Sequence, residues 1–581
     1  MNIIGIHDGH NSGATLLVDG KIVAAVCEER LSRRKNELGY PRQSIEEVLK
    51  IAGISSVALD QVVYASNFMH TADHLENAAE WYRAGFDDQV RDAQRDKSYL
   101  QAVFDKRRNE RIAQVVEQLG VPDAKISFVE HHLAHGAAAY YGAPFDLNEP
   151  ILIMTCDGAG DGLSATVAIG NGTSIERIAQ TQRAASLGKV YSRVTYALGL
   201  TPWEHEYKVM GLAPYAERKY GEEVRNILRE HLTLSEDGLS FALVGELQSS
   251  YIYEFLRDRL ERKRFDAVAA GVQMFTEELL VQWVRNAIRH TGIRKVVFGG
   301  GVFMNVKANQ AIAELAEVED AFVFPSCGDE SLSFGAAWIE YARLAGEAAA
   351  KDREPLRHLY LGREFDDETI AAAIRTAIDG TECAFTKLEG IEEHVASLLA
   401  DNKVVARFAG RMEWGARALG NRSILANPRE WPNVEKINSM IKMRDFWMPF
   451  APSMLEEETD RYLDNPKQLT SPFMMQAFDT RREAVSEIGA ATHPRDKTAR
   501  AQFVQRDINP SYWSLIKAFK EKTGTACVLN TSFNLHGYPL VNTPEDALYV
   551  FLNSGLDYLA IGNYLVAKPN ANESTEKGAA V

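Results

Sequence analysis

Short apolar runs separated by polar, glycine-bearing turns set the rhythm of the N-terminal part of the chain. Residues 2–6 are an apolar run, Asp8-Gly9-His10-Asn11-Ser12-Gly13 a polar turn, and residues 14–18 a second run. Asp19-Gly20 is a tight hairpin turn and residues 21–27 a third run. Runs of this length between such turns predict three strands. The order returns with residues 151–155, Asp157-Gly158-Ala159-Gly160-Asp161-Gly162, residues 163–169, Asn171-Gly172 and residues 175–181. Either copy alone reads as ordinary hairpins, but two copies in one order predict a duplicated α/β unit. Such turns present backbone N–H groups and acidic side chains to phosphates and metals.

Residues 125–129 predict a further strand, which runs into Glu130-His131-His132-Leu133-Ala134-His135 and then Gly136-Ala137-Ala138-Ala139-Tyr140-Tyr141. Small residues followed by aromatic ones suit a helix packed closely under another element. On that helix His131 and His135 share a face, and two imidazoles at this spacing can ligate one metal. A half-buried histidine cluster without a ligand is the plain alternative, and acidic residues downstream favour the metal. Residues 70–118 are charged, with apolar positions at helical spacing such as Ala78, Trp81, Tyr82, Leu100, Val103 and Phe104. They predict an inserted helical cap whose charge faces solvent. Residues 206–215, which include Lys208, mix charge with glycine and read as a shaped loop. Helices dominate to about residue 290, and a strand at 295–298 runs into Gly299-Gly300-Gly301 and a helix opening near Asn305. Glycines there allow close backbone approach to a nucleotide, although triplets also occur in plain turns. A strand at 322–325 leads to Ser326-Cys327-Gly328-Asp329-Glu330-Ser331, which again carries an acid.

Around residues 346–360 the composition turns polar and small, which predicts a boundary between domains 1–355 and 356–581. The second domain has a strand at 404–408, then Gly410 to Leu425 with Arg411, Arg417, Arg422 and Ser423 among glycines. That composition is an anion cradle; a solvated basic face would not usually alternate with Gly, Trp and Leu. Lys442, Arg444, Arg500, Asn530, Ser532 and Asn534 follow. The tail after about residue 569 is small and polar and predicts disorder.

Composition narrows the function classes. A chain of 581 residues exceeds one ordinary core, and a net charge of -16 argues against nucleic acid as the main partner. The five cysteines form no CxxC pair and are odd in number, which fits a reducing compartment. No basic leader and no run of 18 apolar residues is present, so a cytoplasmic protein without a membrane span is expected.

Taken together, residues 129–135, 206–215, 299–309, 410–425, 438–452 and 529–534 resemble the NodU/CmcH-type O-carbamoyltransferases of antibiotic and other natural-product biosynthesis, and the likeness runs from residue 1 to about 568. The resemblance implies an actin-like (ribonuclease H-like) N-terminal domain and a YrdC-like C-terminal domain. It implies a metal held by His131, His135, Asp157 and Asp329, with Fe(II) favoured over Mn(II) or Zn(II). It implies His10 beside an acceptor hydroxyl. The YrdC-like domain would convert ATP, with Mg(II), and carbamoyl phosphate to carbamoyl-adenylate. Arg417 and Lys442 would act in that step, and Lys208, Gly300, Gly301, Asn305, Arg422, Ser423, Arg444, Arg500, Asn530, Ser532 and Asn534 would bind nucleotide or carbamoyl phosphate. Ala416 and Lys497 stand where the family usually has proline and glycine, a change in loop stiffness that removes no charge. The expected partner is a small hydroxyl-bearing molecule, the protein acting as monomer or homodimer. A threonylcarbamoylation enzyme would need a basic surface for tRNA. A hydrogenase-maturation enzyme would carry cysteine zinc modules, and an actin-like ATP-binding scaffold would have no use for a second anion site.

Overall fold

The computed structural model describes residues 1–69 and 78–569. Residues 70–77 of the expected insert and the tail from residue 570 lie outside the described residues. The chain forms two compact units, the first comprising Met1–Glu28 and Asn36–Leu356. The second comprises Glu29–Lys35 together with the chain from Arg357, so a short N-terminal excursion belongs to it.

The first unit carries two five-stranded sheets of matching order. In one, Lys21–Cys27, Gly13–Val18 and Asn2–His7 pair antiparallel, then Gln61–Ala65 and Ile126–Val129 continue in parallel. In the other, Ser174–Gln182, Leu163–Asn171 and Ile151–Gly160 precede the parallel Lys295–Gly299 and Asp320–Val323. The duplication expected from the rhythm of the sequence is therefore present, in the α/β order of the actin-like fold. Both faces of the central strands are covered: Ile3, Ile4 and Ile6 are all buried, which is why they read as unbroken apolar runs. Helices His131–Gly142 and Leu332–Ala345 pack on each other through small residues. A Cβ on Gly335 would lie 1.8 Å from the Ala134 carbonyl oxygen, and one on Gly5 1.8 Å from that of Ser333.

Three local expectations change. The strand at 151 does not stop before Asp157 but runs to Gly160 through a bulge, and the turn shrinks to Asp161 and Gly162, both at positive φ. Residues 206–215 form a helix, Glu206–Leu212, and a 3-10 turn, Ala213–Tyr215, because Val209, Leu212 and Ala213 have a core to bury against. The insert is helical, with Ala78–Arg83, Phe86–Gln94 and Leu100–Leu119, but its charge is not all solvated. Leu100 and Val103 are exposed while Arg107 and Arg111 are buried. Both arginines pair with the buried Asp8, at 2.8 and 2.9 Å, and a buried charge requires such partners.

The second unit is built on an eight-stranded sheet. Its order is Ala384–Lys387, Tyr564–Ala567, Tyr558–Ile561, Val405–Phe408, Arg422–Ala426, Cys527–Ser532, Ala451–Leu455 and Gln502–Val504. Strand alternation feeds two cores. Val405 and Leu425 join Leu399, Met454, Leu515 and Phe519, whereas Ala406 and Ile424 join Ile374, Phe551 and Leu559. No described helix is long and apolar enough to cross a membrane.

Candidate metal centre and anion site

In the first unit the site begins at a helix cap. The Glu130 side chain accepts the His132 and Leu133 N–H groups at 3.2 and 2.7 Å, which starts the helix at His131. His131 and His135 then project from one face as their spacing predicts, both buried. Nδ1 of His131 lies 2.9 Å from Ser66 Oγ, and Nδ1 of His135 lies 3.2 Å from Ser331 Oγ. With Nδ1 engaged, each Nε2 is left buried without a hydrogen-bond partner. Asp157, within the bulge, stands 3.5 Å from His131 Nε2, and Asp329 stands 3.7 Å from His131 Nε2 and 3.5 Å from His135 Nε2. Ligand atoms of these four side chains all lie within 4.8 Å of one another. Two imidazoles held by their far nitrogens and two carboxylates form a donor set suited to a divalent transition metal.

The glycines around the site make room for it. A Cβ on Gly160 would sit 2.0 Å from the His131 ring, and one on Gly300 2.3 Å from the Cys156 carbonyl oxygen. Gly301 donates its N–H to Asp157 Oδ1 at 3.0 Å. Of the residues expected to approach a nucleotide, Gly300 and Gly301 thus border Asp157. Asn305 caps the next helix by accepting the Ala308 N–H at 3.1 Å. Lys208 lies half-buried on helix Glu206–Leu212.

Electrostatics couple the four side chains. Burial alone would depress His131, but Asp329 and Asp157 outweigh it and raise its pKa to about 9. Burial would raise Asp157, yet His131 and His135 hold its carboxyl below the usual range. Three residues that the sequence did not single out complete the site. Asp161 accepts N–H groups from Asn67, Phe68 and His131 at 2.8, 3.1 and 2.9 Å, and so fixes the helix start against the neighbouring sheet. The buried His7 donates from Nε2 to the His10 carbonyl at 2.9 Å and lies 3.9 Å from Asp329, so it links His10 to the cluster. Asp8 is the anchor for the two arginines of the insert. His7 and Asp8 interrupt an otherwise apolar strand and its exit, and that break was the available signal.

In the second unit the expected cations fall into two groups. Lys442 ends a π-helical turn, Asn438–Lys442, a geometry frequent at functional sites. Its Nζ donates to Asn534 Oδ1 at 2.7 Å and to Ser532 Oγ at 3.0 Å. Arg444 donates to Thr531 Oγ1 at 2.9 Å and lies over Phe450. Burial, then Arg444 and Lys35, push the Lys442 pKa well below its ordinary value. Asn530 donates to the Ala418 carbonyl at 3.0 Å and to Ser453 Oγ at 2.9 Å.

The other group shapes a loop. Arg422 is buried against Phe408 and donates to the Ala409 carbonyl at 2.8 Å, and burial lowers its pKa to about 10. Arg411 donates to the Leu361 and Gly362 carbonyls at 2.8 and 2.9 Å. Ser423 Oγ accepts the Gly420 N–H at 3.0 Å. Glu413, which the sequence did not single out, accepts N–H groups from Leu419, Asn421 and Arg422 at 2.7 to 3.1 Å. Arg417 lies half-buried within this braced loop, and Arg500 lies half-buried after strand Thr498–Ala499.

A family model described as carbamoyltransferase N-terminus matches residues 2–338, and one described as carbamoyltransferase C-terminus matches residues 396–568. Nodulation protein NolNO of Sinorhizobium fredii is 32% identical over 570 residues, covering 97% of this chain and 80% of that protein. An uncharacterized protein, MJ1051, of Methanocaldococcus jannaschii is 33% identical over 577 residues, covering 97% and 99%. Among solved structures, full-length HypF in its phosphate- and nucleotide-bound form is 17% identical, covers 60% of this chain and 56% of its own, and has a TM-score of 0.34.

Proposed function

Because the chain belongs to the carbamoyltransferase family, we propose that this enzyme activates carbamoyl phosphate with ATP in its second unit and transfers the carbamoyl group to a small-molecule hydroxyl in its first. The observation that carries this division is that each unit holds one cluster and that the two are chemically opposite. Imidazoles and carboxylates converge in the first, and Lys442 and Arg444 with neutral donors in the second.

Activation handles polyanions. Water takes the phosphoryl group of carbamoyl phosphate, releasing phosphate and carbamate. A carbamate oxygen then attacks the α-phosphorus of ATP, the bond to the bridging oxygen breaks, and pyrophosphate leaves. Lys442 and Arg444 neutralise the charge that develops on the phosphates, while Ser532 and Asn534 hold the ammonium in place. Arg417 and Arg500 would add cations for the phosphates, Arg422 and Ser423 brace the loop that carries Arg417, and Asn530 fixes its neighbour Ala418.

In the transfer step the acceptor oxygen bonds to the carbamoyl carbon, the bond to the adenylate oxygen breaks, AMP leaves and the hydroxyl proton passes to His10. The ordinary pKa of histidine lies near working pH, which suits a general base. His7 holds the His10 backbone through its carbonyl and ties it to Asp329. His131, His135, Asp157 and Asp329 would hold a divalent metal, Fe(II) by family resemblance or Mn(II) or Zn(II), which supplies a Lewis acid beside the reacting group.

The test is release of pyrophosphate and AMP from ATP. Release that depends on carbamoyl phosphate is the expected result. An ATP-binding scaffold would give none.

A further inference from the structure

The short excursion Glu29–Lys35 belongs to the second unit, and what it holds there bears on Lys442. Arg33 spreads its guanidinium over one loop. It donates to the Leu540 carbonyl at 2.5 Å and to the Pro539 carbonyl at 3.2 Å, and its Nε lies 3.4 Å from Asp546 Oδ1. Asp546 in turn accepts the Asn542 and Thr543 N–H groups at 3.0 and 3.2 Å, which pins the far end of the loop to helix Pro544–Leu552. The near end is closed by Asn534, whose amide donates to the Leu535 and Tyr538 carbonyls at 3.0 and 2.6 Å. The other atom of that amide, Oδ1, accepts from Lys442 Nζ at 2.7 Å, and His536 donates from Nδ1 to the Lys442 carbonyl at 2.7 Å. One loop therefore grips the side chain and the backbone of Lys442, and Arg33 grips the loop. The Arg33 backbone has φ of +61°, a conformation uncommon outside glycine that persists where surrounding contacts over-determine it. Nearby, the buried Arg30 donates to the Gly415 carbonyl at 2.6 Å and pairs with Glu29 at 2.6 Å, so the same excursion also fastens the loop that carries Arg417. Lys35 ends it, with a charge that acts on Lys442.

We infer that Arg33 is a positioning residue for activation: by holding the loop of residues 534–541 it fixes Asn534, and through Asn534 it aims the Lys442 ammonium at the phosphates. This rests on the activation reading above and adds that the anion site is completed by residues from before position 36. A guanidinium suits the task, since its planar fork spans two adjacent carbonyls at once, whereas an ammonium is a point charge on a flexible stem. The chain of contacts also explains why a buried lysine keeps one direction. Its ammonium is held by neutral oxygens, which fix geometry only as firmly as their own loop is fixed. Displacing a catalytic group by about 1 Å can cost on the order of 100-fold in rate.

The experiment uses the full-length protein as wild type, Arg33→Ala, Arg33→Lys, Asn534→Ala and the double variant Arg33→Ala with Asn534→Ala. Each is titrated calorimetrically with pyrophosphate, and each is assayed for carbamoyl-phosphate-dependent ATP–pyrophosphate exchange. Arg33→Ala should weaken pyrophosphate binding about tenfold, with the number of sites per chain unchanged, and should lower kcat/KM for exchange by a similar factor. Arg33→Lys should recover only part of either loss. In the Asn534→Ala background, Arg33→Ala should add less than about twofold, because residues in one hydrogen-bond network do not act additively. Unchanged pyrophosphate affinity in Arg33→Ala overturns the proposal. So does a fall in the number of sites at unchanged Kd, the mark of a residue that only keeps the protein folded, and so do fully additive losses in the double variant. Wild-type protein that binds pyrophosphate but shows no exchange would strike the activation reading, while the titrations still decide whether Arg33 positions Lys442. Wild-type protein that binds no pyrophosphate overturns the positioning as well.

Discussion

The two clusters solve opposite electrostatic problems. In the first unit, His131 and His135 face Asp157 and Asp329, so unlike charges sit together and stabilise one another. Two imidazole nitrogens remain unbonded, and the serines behind them fix their direction. In the second unit, Lys442, Arg444 and Lys35 are like-charged, and the buried lysine is held by neutral oxygens of Ser532 and Asn534. The first has the donor set that the proposed metal would need. In the second, on the proposed reading, a polyanion would relieve the repulsion among the cations. A cluster of mixed sign suits a resident metal, whereas a cluster of one sign suits a substrate that must arrive and leave.

The largest effect expected from breaking this contrast follows His131→Ala. It removes a proposed ligand rather than a supporting residue, so metal content and transfer should fall by more than the roughly 10- to 100-fold that loss of a supporting residue causes. Metal analysis of the purified variant checks this, and full occupancy with full transfer would remove His131 from the ligand set. Next in size is Lys442→Ala. Loss of one hydrogen bond to a charged group costs roughly 1.5–3 kcal/mol, or about one to two decades in rate, here in ATP–pyrophosphate exchange. Metal content should be unaltered, and a variant that exchanges at the wild-type rate would leave the second cluster without its assigned role. Ser66→Ala leaves all four ligands but frees Nδ1 of His131. Metal affinity should fall about tenfold, the lower end of the range for a supporting partner, and competition with a chelator measures it.

The smallest effect concerns protons and has opposite signs at the two sites. His131 carries a proton up to about pH 9 when its carboxylate partners are unmetallated, and a ligand must be deprotonated. Metal binding at neutral pH should therefore release a proton, and affinity should fall as pH is lowered. Lys442 is held well below its ordinary pKa by burial and by Arg444 and Lys35, and phosphates beside it favour its charged form. Pyrophosphate binding should draw protons toward this lysine rather than release them. Calorimetry in buffers of different ionisation enthalpy separates the two, and the same sign at both sites would refute the contrast.

The history of each cluster in the sequence is also different. The repeated strand rhythm and the i, i+4 histidines were legible, because spacing along the chain sets them locally; Asp157 was expected on a turn and stands instead in a bulged strand. The partners of Asp8 were not. Arg107 and Arg111 lie about a hundred residues downstream, on a helix whose exposed Leu100 and Val103 mimic a buried stripe. His7, Asp161 and Glu413 were missed because their roles come from backbone N–H and carbonyl groups that only the folded chain brings near. The cationic residues of the second half were legible as a set. Which of them line an open site and which brace the loop depends on burial, as with Arg422 stacked on Phe408. The membership of Glu29–Lys35 in the second unit left no mark in composition, since Arg30 reaches the Gly415 carbonyl across a sequence gap no pattern records.

The central claim is that the two clusters serve separate steps, and carbamoyl-phosphate-dependent ATP–pyrophosphate exchange in His131→Ala tests it most directly. Exchange at close to the wild-type rate, from a protein that no longer carbamoylates any acceptor, is the predicted result. Loss of exchange in proportion to loss of transfer would contradict it, because activation would then depend on the histidine–carboxylate cluster as well.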